Sequence, residues 1–128
     1  MAHSAALRPL HPFFAIIITF CCRFLVNATA YWLLDVRGPV VLWALASGVL
    51  SGLYFPPRFM PEPFVLALWL LTPLPSLFQA PLDVLVERDA TPIQLGIVGL
   101  QAVWVVIMVW LCHVVQRRAE RHLVIQGG

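Results

Sequence analysis

The sequence predicts an all-α integral membrane protein with three transmembrane helices and, between the second and third, a proline-broken re-entrant or interfacial helical segment. Three observations predict it. Hydrophobic residues make up 61% of the chain and charged residues only 11%, with a mean hydropathy of +0.88, whereas soluble domains carry about 25% charge. Residues 93 to 115 hold no formal charge, and a helix of that length reaches roughly 34 Å, against a hydrocarbon core of about 30 Å. Prolines 56, 57, 61, 63, 73, 75, 81 and 92 interrupt an apolar stretch that no single helix can therefore traverse.

Residues 1–12 stand apart as an N-terminal extension, and 13–128 form a partial transmembrane domain. Arg8 precedes an apolar run as in a signal sequence, but Thr19-Phe20-Cys21-Cys22-Arg23 lacks the small residues of a cleavage site, so the segment is expected to stay uncleaved. The first span covers 13–34 and closes on Tyr31 and Trp32, an interfacial aromatic pair. Asp35 to Gly38 make a tight turn, with Asp35 and Arg37 at its surface. Pro39 opens the second span, 39–55, at a helix position where its missing N–H costs nothing.

The re-entrant segment is 56–92. Its apolar piece Phe64 to Leu71 amounts to about 12 Å of helix, too short to cross, and Pro73 and Pro75 break it. A second piece, Ser76 to Arg88, sets Leu82, Leu85 and Val86 beside Asp83, Glu87 and Arg88, as in a helix lying along the interface. An ordinary outer loop is the plainer alternative. Broken backbone at membrane depth needs cover from protein or a water-filled cavity, so the segment is expected to pack on other helices. Thr91 as N-cap, Pro92 and Gln94 then begin the third span, 93–115.

Arg117, Arg118 and Arg121 follow the last span and are expected to hold the C-terminus in the cytoplasm. Counting back, the Asp35–Gly38 turn is cytoplasmic, and the proline-rich segment and the N-terminus are external.

All eight basic residues are arginine, so a phosphate-binding loop, which needs a lysine, is excluded, and with it an ATPase of that type in this chain. A scattered net charge of +2 gives no nucleic-acid groove. Arg23 is the one formal charge within the first span, and Asn27 shares its face at i+4. This polar patch either lines a substrate path or meets another helix; alternatively the span is shifted and Arg23 snorkels to an interface. Ser47, Gly48, Ser51 and Gly52 repeat small residues one turn apart, the pattern of a close helix-packing seam. Cys21, Cys22 and Cys112 read as small buried hydrophobes. His113, His122 and Cys112 lack metal-ligand spacing, and no acid, base and nucleophile share a depth. No cofactor, metal or catalytic residue is expected.

Several short motifs occur in a particular order: Tyr31-Trp32-Leu33-Leu34-Asp35, Gly52-Leu53-Tyr54-Phe55-Pro56, Phe59-Met60-Pro61, Leu74-Pro75, and the tail Arg121-His122-Leu123-Val124-Ile125-Gln126-Gly127-Gly128. From about residue 20 onward the chain resembles the C-terminal half of the type-two permeases of bacterial ATP-binding-cassette exporters. The resemblance implies a multi-pass subunit of the bacterial inner membrane. It also implies a separate cytoplasmic ATPase subunit and a second permease subunit or missing half as partners. Segment 56–92 would be the outer re-entrant element between the family's fifth and sixth spans. The family's first three spans and its cytoplasmic coupling helix have no counterpart, which implies a truncated or split permease. The competing expectation is a small non-transporting membrane protein with a structural or assembly role.

Overall fold

The structure, a computed structural model, describes residues 5–6, 8–85 and 91–127. Residues 86 to 88 of the expected interfacial helix, the side chains of Arg58, Val84 and Thr91, and the end of the glycine tail lie outside the described residues. The elements are α1 (Leu10–Ala28), α2 (Arg37–Leu50), α3 (Glu62–Leu71), α4 (Gln79–Leu85) and α5 (Thr91–Gly127), with single 3-10 turns at Thr29–Tyr31, Pro57–Phe59 and Leu74–Ser76.

Among the described residues two helices, not three, are long and apolar enough to cross a membrane: Leu10–Tyr31 and Pro92–Val124. The second span, expected at 39–55, is corrected to α2, which has 14 residues and so reaches only about 21 Å. Its stop is local. Ser51 caps it, and Gly52 follows at φ +91, the left-handed conformation that glycine supplies at a helix end. The first span also shifts: α1 begins at Leu10, inside the stretch set apart as an extension, and its regular turns end by Tyr31 rather than Leu34. The third span lies within α5, which continues unbroken through the basic cluster to Gly127.

α1 and α5 are the central pair, and they run parallel. His11 contacts Gln101, Cys21 contacts Cys112 and Trp32 contacts His122. The offset is 90, then 91, then 90 residues (122 − 32), held over about 31 Å of helix. Of the buried residues of α1, His11, Ala15, Ile18 and Cys22 follow steps of four, three and four, with Cys21 and Ala28 buried beside them. In α5, Gln94, Gln101 and Met108 recur every seven. That is the seam of two nearly aligned helices with interlocking side chains. Ile18, Cys21, Cys22 and Met108 form its centre, joined by Leu74 and Leu77 from the broken segment.

α2 returns alongside α1, bringing Trp43 and Leu50 to the same core. α3 and α4 form a hairpin around Thr72–Phe78. The apex, Leu74 to Leu77, is buried throughout, so Pro73 and Pro75 break the helix where the chain enters the protein interior. Thr72 helps α3 end by donating its hydroxyl to the Leu68 carbonyl at 2.6 Å. The fold has no strand among the described residues.

Candidate functional site

A buried polar pin joins the hairpin apex to the helix pair. Gln101, fully buried, donates from Nε2 to the Ser76 carbonyl at 3.2 Å. That leaves Oε1 as the acceptor facing His11, whose Nδ1 donates at 2.7 Å. His11 is likewise fully buried, and its Nε2 has no hydrogen-bond partner among the described residues. α5 positions Gln101, the first turn of α1 positions His11, and the 3-10 turn after Pro73 turns the Ser76 carbonyl toward them. Neither His11 nor Gln101 was singled out from sequence. The available signal was a histidine and a glutamine at seam positions, with Gln94 and Gln101 one heptad apart in an otherwise apolar run.

A second junction lies where α2 ends. The backbone N–H of Gln79 donates to the Ser51 carbonyl at 3.1 Å, and the Gln79 side chain donates to Asp83 at 2.9 Å. A Cβ on Gly52 would come within 2.6 Å of Gln79 Oε1, and one on Gly48 would collide with the Tyr54 ring. Gly48, Ser51 and Gly52 thus receive Tyr54 and Gln79 from the segment that follows, while Ser47 donates its hydroxyl to the Ala44 carbonyl at 3.3 Å. In the Asp35 turn, Asp35 Oδ1 accepts from the backbone N–H of Arg37 at 2.9 Å, an Asx-type closure.

Arg23 and Asn27 are both exposed. The constant offset puts them level with His113 and Arg117 (23 + 90 and 27 + 90), beside the basic cluster of α5. The outward stripe of α1 reads Phe13, Ile16, Phe20, Arg23, Asn27, and that of α5 reads Val103, Val106, Trp110, His113, Arg117. Phe20 is 71% exposed and Trp110 is 62% exposed. Both stripes turn polar at one level, a belt near Arg118 and Arg121, although on the α1 side the exposed residues beyond it, Tyr31 to Leu34, are apolar again. Arg23 and Asn27 line a hollow of about 60 Å³ with Val26, Val40, Trp43 and Ala44.

Among the described residues no three His, Cys, Asp or Glu side chains gather as metal ligands. Cys21, Cys22 and Cys112 are free thiols on the seam. The arrangement holds helices together and presents apolar surface.

The most apolar window of α5 is only 11% buried, the reverse of a soluble core helix and the exposure expected of a helix that faces lipid. The model of the ABC-2 family transporter proteins matches residues 2–127, and the chain belongs to that family. It is a membrane protein of the transport permease class. The match includes residues 2–12, which the motif resemblance did not reach. No curated protein and no solved structure matches the chain.

Proposed function

We propose that the chain is a permease subunit of an ATP-driven exporter in the bacterial inner membrane, contributing part of the translocation pathway. A separate cytoplasmic ATPase subunit supplies hydrolysis. The family match carries the reading, and the sequence contains no lysine with which to hold a nucleotide's phosphates in a P-loop.

The parallel course of α1 and α5 supports an odd number of passes, with the N-terminal ends outside and the arginine-rich end of α5 in the cytoplasm. Inward from the belt, α5 offers about twenty residues back to Ile93, the thickness of a hydrocarbon core. α2 makes the return leg incompletely, and the α3–α4 hairpin, entering from the outer side, fills the remainder. Two crossing helices and one short one cannot enclose a path, so a second permease subunit completes it. α3 supports this need: Leu68 is its one buried residue among those described, and its Met60–Trp69 side opens onto a hollow of about 720 Å³.

Affinity purification of the tagged chain from its native membrane tests the reading. An ATPase subunit is expected to co-purify, and ATP hydrolysis by the reconstituted complex is expected to depend on this chain. A stably folded chain that recovers no ATPase contradicts it.

A further inference from the structure

We propose that Arg23 and Asn27, with Trp43 and the first turns of α2, bind the phosphate of an anionic phospholipid headgroup in the hollow between α1 and α2. The inference stands apart from transport.

Two observations carry it. Arg23 has no hydrogen-bonded or ion-paired partner among the described residues. An unpaired guanidinium at the edge of the hydrocarbon seeks an anion with which to form charge-assisted hydrogen bonds. Asn27, one turn further on the same face, adds an amide donor at the mouth of the same hollow.

The depth also fits a lipid. Arg23 lies in the second half of the apolar span Leu10–Tyr31, level with the point where α5 turns polar at His113 and Arg117, so its long side chain reaches the headgroup layer by snorkelling. Phe20, exposed one turn above Arg23, offers apolar surface along which an acyl chain can run. Trp43 supplies an amphipathic ring of the kind that collects at this level.

Val26, Val40 and Ala44 complete the lining of the hollow, whose volume of about 60 Å³ admits only a small group.

The test uses the full chain in detergent containing phosphatidylglycerol and phosphatidylcholine of matched acyl chains, with co-purified lipid counted by mass spectrometry. The wild type is expected to retain phosphatidylglycerol preferentially. Arg23→Gln should reduce that preference about fivefold, the worth of one arginine near an anionic surface. Ala44→Leu, which fills the hollow and leaves every charge in place, should reduce it similarly and covers the case in which Arg23→Gln does not fold. Arg121→Gln, in the belt but away from the hollow, should retain the wild-type preference. Equal loss in Arg121→Gln would mean diffuse attraction and overturn the proposal. So would unchanged retention in Arg23→Gln or Ala44→Leu, or displacement of the lipid by millimolar inorganic phosphate, which would mark a soluble-anion site.

Discussion

Gly52 is the residue on which the short α2 depends. Its φ of +91 costs any side-chain-bearing residue about 1–2 kcal/mol, and the approach of Gln79 Oε1 adds to this. Gly52→Ala is therefore expected to lower stability in mixed micelles by about 2 kcal/mol. Gly38→Ala, at a position with open space around its Cβ, should change it by less than about 0.5 kcal/mol. Equal effects at the two sites would contradict this assignment. The His11–Gln101 bond is open to a double-mutant cycle: with His11→Leu and Gln101→Leu, a coupling of about 1 kcal/mol is expected, in the range of interhelical hydrogen bonds in membranes. Additive effects would mean that the bond does not hold the pair. The turn at Asp35 and the break at Pro73 and Pro75 were legible from residue chemistry alone. The pin was not, because a lone histidine before a span and a glutamine within one acquire a role only once α1 and α5 lie in register.

At the scale of elements, proline marked the breaks in the sequence, but the helix ends depended on contacts distant in the chain. α2 reads as apolar through Phe55, yet it stops at Leu50 because Gly52 turns and Gln79 takes the Ser51 carbonyl. That bond joins residues 28 apart (79 − 51) and has no local signature. Likewise, Gly48 and Gly52 carry the pattern of a helix seam, but their neighbours are Tyr54 and Gln79 from the same chain. The hairpin apex gives a direct test of the element scale. Ser76→Cys in a chain lacking the native cysteines is expected to resist membrane-impermeant maleimide from both sides, since Ser76 is 1% exposed. Asp35→Cys, in the exposed turn, should label only when the cytoplasmic face is open. Rapid labelling of Ser76→Cys from outside would mean that the segment is a surface loop.

The whole molecule is built around two parallel helices, and its other elements follow from that choice. A parallel pair requires the intervening chain to return across the same distance, and α2 with the hairpin provides that return with helix too short to do it alone. The composition and the uncharged run at 93–115 made the membrane class legible. The number of crossing helices was not legible, because a run of apolar residues does not reveal where its backbone turns. The parallel register also sets Arg23 level with His113, close to the arginines that follow the apolar run of α5.

Cross-linking tests the register most directly. Three cysteine pairs are placed in a chain freed of native cysteines and treated with a short bifunctional thiol reagent: His11→Cys with Gln101→Cys, Trp32→Cys with His122→Cys, and His11→Cys with His122→Cys. The first two are expected to join within one chain, and the third is not. Joining of the 11–122 pair with silence of the other two would make α1 and α5 antiparallel and contradict the account.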